Sequence, residues 1–273
     1  MAITGTGTQA DPYVVTTWNA LASVTSETGV YIKLGNNIDM NIEYPEGLTS
    51  GLTINCAEID GEGYTIKNLY FKSGRLFYCE DNRTWKNTNI INFVLGDGNN
   101  GAAFHYNRTI YNTLTFKNCK LSGRLNSGLN DNNRVILASG RLKFNRCSLN
   151  IYFSENTSTL SSSPDWRDVV TFLYCNVNFT GVTDKGLNML LDNSYIKGSL
   201  PSATISTTAS SGTQSVYSVL DIEAAEYSGS SGTTLVLANS DKCSTISQYL
   251  TSVTTAQLKD AAYLDSIGFP IQT

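Results

Sequence analysis

The chain has very few of the residues on which metal and nucleophilic sites usually depend. It contains one histidine, His105, among 273 residues, and none of its six cysteines belongs to a C-x-x-C pair. Structural zinc sites need several cysteines or histidines at close spacing, and nucleophilic catalysis of the Ser–His or Cys–His kind needs a histidine beside its nucleophile. We therefore expect no metal, no cofactor and no catalytic residue, and we expect His105 to be structural.

Charged residues and long apolar runs are also sparse. Charged residues make up 15% of the chain, and the formal net charge is -4. The lysines and arginines are dispersed, whereas a nucleic-acid surface gathers them into a basic stripe. No apolar run approaches the length of a membrane span, and the first residues lack the basic and apolar regions of a signal peptide. The sequence predicts a soluble protein made without a signal peptide, with neither nucleic acid nor a membrane as partner.

A short pattern that contains cysteine returns along the chain. It is FKNCKL at 116–121, FNRCSL at 144–149 and FLYCNV at 172–177, so that successive cysteines are 28 residues apart. Weaker copies of the pattern extend it in both directions at spacings between 19 and 31 residues. A spacing that varies while the local pattern persists is typical of a solenoid of short strands whose turns carry loops of different length.

The repeated position is expected to form a buried column. Apolar and polar residues alternate on either side of it, and a bend near Asn118 would turn both Phe116 and Cys119 inward. Equivalent residues of successive turns would then stack about 4.8 Å apart, in a corner that admits only small side chains. Cysteine would act there as a small hydrophobe with a free thiol. The predicted interior ladder is Thr88, Cys119, Cys147, Cys175, Ser194 and Ala225.

Both ends of the chain carry helix signals, as expected of a solenoid whose terminal coils must be covered. Residues 16–24 have a threonine N-cap and an apolar face, and a first strand is expected at 30–40. Residues 254–270 begin with a capping box of Thr254 and Gln257 and end in Gly-Phe-Pro. We predict one structural domain: an N-terminal cap at 1–29, a parallel β-helix at 30–250, and a C-terminal capping helix and tail at 251–273.

Segments near both ends resemble known proteins. GTGTQADPYVV at 5–15 is followed by YIKLGNNIDM at 31–40 and IDGEGYTIKNL at 59–69. This order is similar to the opening of right-handed parallel β-helix proteins of the pectin-lyase-like type, which occur in bacteria and often in bacteriophage virions. The closing LKDAAYLDSIGFPI resembles the ends of phage structural proteins. The resemblance implies an all-β fold, a single-stranded right-handed parallel β-helix, but this fold hosts many functions.

Acidic residues provide weak candidates for glycan chemistry. Glycoside hydrolysis uses two carboxylates several ångströms apart. Asp165 and Asp168 flank Trp166 in PDWRDVV, and Glu223 and Glu226 lie in DIEAAEY. Either pair could line a groove, but exposed charged loops explain both more simply. We keep Asp165, Trp166 and Asp168 as candidate contacts with a glycan or a protein partner.

The expected function is therefore non-enzymatic. The resemblance implies a bacteriophage virion structural protein displayed on the particle surface, in the first place a capsid decoration protein that is made in the host cytoplasm and binds other virion proteins. A β-helix that begins almost at residue 1 favours this over a tail spike, which usually carries an anchoring domain first. The alternative is a tail-associated receptor-binding protein that holds host surface glycan through loops at 154–166 and 198–215. A glycan lyase or hydrolase is the third hypothesis.

Overall fold

The computed structural model describes most of the chain as short strands with four short helices. The described residues are 3–96, 102–107, 112–126, 135–154, 158–161, 170–183, 186–207, 215–230 and 233–270. The helices are α1 (Trp18–Val24), α2 (Met40–Glu43), α3 (Thr255–Leu258) and α4 (Ala261–Ser266). The strands are β1 (Tyr13–Val15), β2 (Tyr31–Leu34), β3 (Ile38–Asp39), β4 (Leu52–Thr53), β5 (Glu58–Asp60), β6 (Thr65–Lys67), β7 (Tyr70–Phe71), β8 (Gly74–Cys79), β9 (Arg83–Lys86), β10 (Asn89–Leu95), β11 (Ala102–Asn107), β12 (Thr113–Lys117), β13 (Lys120–Leu125), β14 (Val135–Ser139), β15 (Arg141–Asn145), β16 (Ser148–Phe153), β17 (Ser158–Ser161), β18 (Val170–Leu173), β19 (Asn176–Gly181), β20 (Gly186–Asp192), β21 (Tyr195–Ser206), β22 (Val219–Ser228), β23 (Leu237–Asn239) and β24 (Thr251–Val253).

The strands stack on three faces, and every strand-to-strand pairing among the described residues is parallel. Face A contains β2, β5, β9, β12, β15 and β18. Face B contains β6, β10, β13, β16, β19, β21 and β22. Face C contains β4, β8, β11, β14 and β17. The chain visits A, B and C in turn and returns to A one coil further on, so the fold is a parallel β-helix solenoid, as the sequence predicts.

The register between coils places equivalent side chains directly above one another. On face A, Phe116 pairs with Trp85 on one side and with Phe144 on the other, and Phe144 pairs with Phe172. The four buried rings form one stack with centroid distances of 5.9, 5.7 and 5.5 Å. Stacked rings on neighbouring parallel strands bury large apolar areas in low-energy geometry, so this column forms the centre of the core.

The bend between faces A and B has the same backbone in each coil. Asn118 lies in the left-handed region with φ of 54°, and the residue after it begins the turn into face B. The turn resets the inward–outward alternation, which is why Phe116 and Cys119 are both buried although they are three residues apart. We call the following positive-φ residues the αL corner: Asn87, Asn118, Arg146, Tyr174, Asn193, Tyr217 and Leu235.

The N-terminal end of the solenoid is covered by α1. Thr17 caps this helix by accepting a hydrogen bond from the backbone N–H of Ala20 at 3.1 Å. The Glu43 carboxylate accepts two further hydrogen bonds from the N–H of Trp18, at 3.0 and 2.9 Å, where the helix dipole favours negative charge. The predicted helix is therefore present, and β1 precedes it and already pairs with β2.

The C-terminal segment forms two helices where the sequence pattern suggests one. The capping box of Thr254 and Gln257 is present and begins α3. This helix ends at Leu258, with Lys259 as its C-cap. Asp260 then adopts an extended backbone and caps α4, accepting from the N–H groups of Ala262 and Tyr263 at 3.0 and 3.2 Å. Neither helix contains a buried residue. Both lie against an outward-facing apolar patch of the solenoid, formed by Val219, Leu237 and Val253.

Part of the predicted loop at 198–215 is strand: residues 198–206 belong to β21, and 208–214 lie outside the described residues. β21 continues to Ser206 and pairs with β22, with a shift of register between Leu200 and Thr204. Gly198 adopts a φ of 127°, and a Cβ there would lie 1.8 Å from the carbonyl oxygen of Phe179, so only glycine fits. The prediction of a loop was wrong for 198–206, because a strand that pairs on both sides needs few apolar side chains of its own. No described helix has the length and apolarity needed to cross a bilayer.

Candidate functional site

Five of the six predicted ladder residues lie in one row inside the αL corner. Thr88, Cys119, Cys147, Cys175 and Ser194 are each at most 4% exposed, and the register of β13, β16, β19 and β21 places them in successive coils. All six cysteines of the chain are free and buried. Burial raises the pKa of Cys56 and of Cys79 to about 12, which disfavours the reactive thiolate.

The ladder side chains share one pattern of hydrogen bonds. The O–H or S–H donates to the carbonyl two residues earlier: Cys119 to Lys117 at 3.3 Å, and Ser194 to Asp192 at 3.0 Å. The oxygen or sulfur accepts from the backbone N–H of the ladder residue one coil earlier, as Cys147 does from Cys119 at 3.4 Å. At the sharp bend these backbone N–H groups have no hydrogen-bond partner in the β-sheets. The side chain therefore has to accept their hydrogen bonds. The position therefore requires a small residue with a donor and an acceptor.

Ala225 does not belong to this row. The structure leaves it exposed on β22, and Ser218 occupies the ladder position after Ser194. Ser218 accepts from the N–H of Ser194 at 3.1 Å and donates to the carbonyl of Val216 at 2.9 Å. The prediction was wrong here because it treated the position as merely small, whereas an alanine has no hydroxyl or thiol to satisfy the bend.

This hydrogen-bonding role predicts different outcomes for two small replacements of Cys147. Cys147→Ser should keep the free energy of unfolding within about 1 kcal/mol of the wild type, because Ser194 and Ser218 fill the same position. Cys147→Ala should cost about 1–3 kcal/mol, because the N–H of Cys119 then loses its acceptor in a buried corner. Equilibrium urea unfolding compares the two, and equal stability of both variants would show that only volume matters.

A groove lies outside the αL corner, between it and the C-terminal segment. Tyr174, Tyr195 and Tyr217 line the solenoid side, and the tail side is formed by Leu258, Leu264, Phe269 and Pro270. Its volume is about 410 Å³, and Asn176 and Asn193 add amide groups to its wall. We call this the corner groove. It combines exposed aromatic rings, apolar side chains and a few polar groups, as ligand and peptide sites do.

Two of the groove tyrosines have an unfavourable backbone. Tyr174 and Tyr217 have φ of 53° and 42°, a region that suits asparagine and glycine but costs bulky residues about 1–2 kcal/mol. Asn87, Asn118 and Asn193 show that asparagine fits the same corner position elsewhere. Both tyrosine side chains remain substantially exposed, at 51% and 39%. Burial of the two rings within the chain therefore does not offset the backbone strain. Strain of this kind concentrates at functional sites.

The third tyrosine is held by a carboxylate. The hydroxyl of Tyr195 donates a hydrogen bond to Asp221, which also accepts from the side chain of Asn239 at 2.6 Å. Partial burial, followed by the hydrogen bond to Asp221 and its negative charge, raises the pKa of Tyr195, so this ring stays neutral and fixed in the groove wall. The solenoid wall of the groove is thus preorganised.

The residue before each ladder position carries the sequence signal for this groove. That residue belongs to the αL corner: it is a tyrosine in the repeat FLYCNV and before Ser218, an arginine in FNRCSL, and an asparagine before Thr88, Cys119 and Ser194. Of the predicted contacts, Asp165, Trp166 and Asp168 lie outside the described residues. Glu223 is exposed on β22 and accepts a hydrogen bond from Ser199 at 2.7 Å, and Glu226 lies further along the same strand. Neither glutamate lines the corner groove.

Comparisons with known proteins add little. No protein family and no curated protein sequence matches the chain. A crystal structure from Bacteroides ovatus, described as a "putative immunoglobulin A1 protease", matches over 96% of this chain and 89% of its own, with 14% sequence identity and a TM-score of 0.40. Similarity at this level carries no argument about function.

Proposed function

We propose that this protein is a non-enzymatic structural protein of a bacteriophage virion, displayed on the capsid surface, and that the corner groove docks it to another protein of the particle. Segments at both ends of the chain resemble phage virion proteins, which supports a role in the particle. The observation that carries the docking role is the pair of exposed tyrosines, Tyr174 and Tyr217, at αL positions that asparagine would occupy with less strain. Their exposed rings offer contact area to another protein.

A segment of a partner protein suits the dimensions and chemistry of the groove. Tyrosine is enriched at the energetic centres of protein interfaces because it buries a large ring and keeps a hydroxyl for hydrogen bonding. The facing wall, formed by Leu258, Leu264 and Phe269, is apolar but only half-buried. An inserted apolar or aromatic side chain would cover both walls at once. A parallel β-helix is a stiff body and would hold this groove in a constant position on the particle.

Replacing Tyr217 by asparagine removes the aromatic ring and relieves the backbone strain at this position. Tyr217→Asn should weaken binding to purified DNA-free heads at least about tenfold, equivalent to about 1.4 kcal/mol. Its free energy of unfolding should stay within about 1 kcal/mol of the wild type, because the relief of backbone strain offsets the weaker packing of the smaller side chain. Binding is measured by sedimentation with the heads, and stability by urea unfolding. Unchanged binding to heads would overturn the docking role.

Arg146→Asn is the matched control. Arg146 occupies the αL corner one coil before Tyr174, with φ of 54°, and does not line the groove. The variant should bind heads like the wild type and gain about 1 kcal/mol of stability from the same backbone relief. A loss of binding in both variants would assign the effect to the corner backbone instead of the tyrosine ring.

The alternative is a receptor-binding protein of the tail in which the same tyrosines stack on a host saccharide. The two hypotheses differ in where the protein sits and in what fills the groove. Cryo-electron microscopy of intact particles separates them, because the capsid hypothesis expects density on the shell at a copy number set by the shell lattice. Density confined to the tail would contradict the capsid role.

A further inference from the structure

The tyrosines of the corner groove have a regular spacing along the solenoid. The positions just before the corner are in parallel register from coil to coil, in the order Leu173, Asp192 and Val216. Each is followed by an αL corner residue, so three such residues stand one above another in successive coils: Tyr174, Asn193 and Tyr217. Neighbouring parallel strands lie about 4.8 Å apart, so the backbones of Tyr174 and Tyr217 are about 9.6 Å apart, with the smaller Asn193 between them.

This spacing matches one turn of a polyproline II helix. That helix rises about 3.1 Å per residue with three residues per turn, so side chains at positions i and i+3 lie on one edge about 9.3 Å apart. Side chains on one face of a β-strand are about 6.6 Å apart, and those on one face of an α-helix are about 5–6 Å apart. Among these three conformations, polyproline II therefore places consecutive side chains of one edge against the two tyrosines.

The corner backbone is already paired between coils. The N–H of Tyr174 donates to the carbonyl of Asp192 at 2.8 Å, and the N–H of Tyr217 donates to the carbonyl of Thr234 at 3.1 Å. These N–H groups are therefore not available to a partner segment that would add to the solenoid as another β-strand. A polyproline II segment does not need them, because its backbone forms no ladder of hydrogen bonds.

The polar groups of the groove suit an uncharged segment that presents carbonyl acceptors. The described residues that line the groove include no charged side chain, so its surface is complementary to a neutral ligand. The hydroxyl of Tyr195 donates to Asp221, whereas the hydroxyls of Tyr174 and Tyr217 form no hydrogen bond within the described part of the chain. Because proline has a carbonyl but no N–H, both of these hydroxyls can donate to a proline-rich backbone.

The opposite wall of the groove is apolar. It is formed by the C-terminal segment, where Leu258, Leu264 and Phe269 are only half-buried and Pro270 is exposed. A proline ring packed between this wall and the tyrosines would bury apolar area on both of its sides. It would also lose little conformational entropy, because the polyproline II conformation is already formed in the free segment. Aromatic-lined grooves bind proline-rich segments for these reasons.

We infer that the corner groove binds a proline-rich segment of a partner protein in the polyproline II conformation, with prolines at positions i and i+3 packed on Tyr174 and Tyr217. The inference rests on the proposed docking role and names the chemistry of the partner. A polyproline II helix has three edges, so one edge meets the tyrosines while the other residues of the turn face the C-terminal segment and the solvent.

Two labelled ten-residue peptides test the spacing by fluorescence anisotropy on the whole protein. Each peptide contains four prolines and six alanines. In the first the prolines stand at every third position, and in the second they occupy alternate positions, so that no two are three residues apart. The first peptide should bind at least about tenfold more tightly, because the second cannot place a proline on both tyrosines at once. Equal affinity, or no saturable binding of the first peptide up to about 1 mM, would overturn the inference.

Variants of the αL corner locate the binding site of the first peptide. Tyr174→Asn and Tyr217→Asn should each weaken its binding at least about tenfold, because each removes one of the two rings. Tyr217→Phe keeps the ring but not the hydroxyl donor and should weaken binding only about threefold. Arg146→Asn should bind the peptide like the wild type. Equal losses in Tyr217→Asn and Arg146→Asn would contradict a site built on the tyrosine rings.

Competition on DNA-free heads separates failure of this inference from failure of the docking role. An excess of the first peptide should release the protein from the heads, and an excess of the second should not. If Tyr217→Asn loses binding to heads but the first peptide does not compete, the docking role stands and the polyproline inference is overturned. If the first peptide binds and Tyr217→Asn loses it while binding to heads is unchanged, the polyproline site stands and the docking role is overturned.

Discussion

Phe144→Ala is expected to lower the free energy of unfolding by about 4 kcal/mol. The Phe144 ring is fully buried on β15 and lies between two others, 5.7 Å from Phe116 and 5.5 Å from Phe172 by centroid. Parallel strands hold both neighbours in register, so they cannot close around the space that the ring leaves. Denaturant unfolding followed by circular dichroism measures the loss.

The control for this variant is an exposed ring in the same coil. Tyr152 lies on β16 and is 43% exposed, so Tyr152→Ala should change stability by no more than about 1 kcal/mol. A much larger loss of unfolding free energy in Phe144→Ala than in Tyr152→Ala would identify the ring stack as the rigid centre of the core. A Phe144→Ala protein as stable as Tyr152→Ala would mean that the column repacks, which the stacked register does not allow.

Acid is expected to destabilise the fold by about 1.4 kcal/mol for each pH unit below 6.5, continuing toward pH 3. His105 is completely buried on β11, and neither of its ring nitrogens has a hydrogen-bond partner among the described residues. Burial lowers the pKa of His105 from 6.5 to about 3, and the backbone polar groups of Arg141 and Phe77 offset only part of this. The unfolded chain therefore binds a proton that the folded chain excludes. The contribution of neutral His105 to stability is fully present above pH 6.5 and is lost as the pH falls toward 3.

One variant isolates this effect because His105 is the only histidine in the chain. Between pH 6.5 and pH 5 the wild type should lose about 2 kcal/mol of unfolding free energy, and His105→Leu should lose almost none. Carboxylates titrate at lower pH than His105 does in the unfolded chain. Hydrogen bonds from Asn68 to Asp39 and from the Thr255 backbone to Asp241 lower the pKa values of these two carboxyl groups below their ordinary value of 3.8. Urea unfolding at several pH values measures both slopes. Equal slopes in the two proteins would contradict a neutral buried histidine.

Much of the coil architecture could be predicted from local patterns. The spacing of Cys119, Cys147 and Cys175 identified the coil, and the break in alternation at Asn118 identified the bend. Both are visible in sequence because each coil repeats the same local requirements: an inward ring, a residue tolerant of positive φ, and a small inward side chain. The error at Ala225 came from treating that side chain by size alone, although Ser218 shows that the bend also needs hydrogen bonds.

The corner groove was not predicted from the sequence, for a different reason. The corner groove joins Tyr174 to Leu258 and Phe269, which are far apart in sequence and meet only because the C-terminal segment folds back along the solenoid. A periodic pattern does not indicate which groups will lie beside a residue on other coils.

By itself the sequence determined that this chain coils as stacked parallel strands with a ladder of small buried residues, because those features follow from requirements that recur in every coil within a few residues. Only the tertiary structure decided which side chains meet on the outer surface and where the C-terminal segment docks. These contacts depend on the lengths of the loops and on the register between each pair of neighbouring coils. A shift of one residue anywhere would change the neighbours while leaving each local pattern intact.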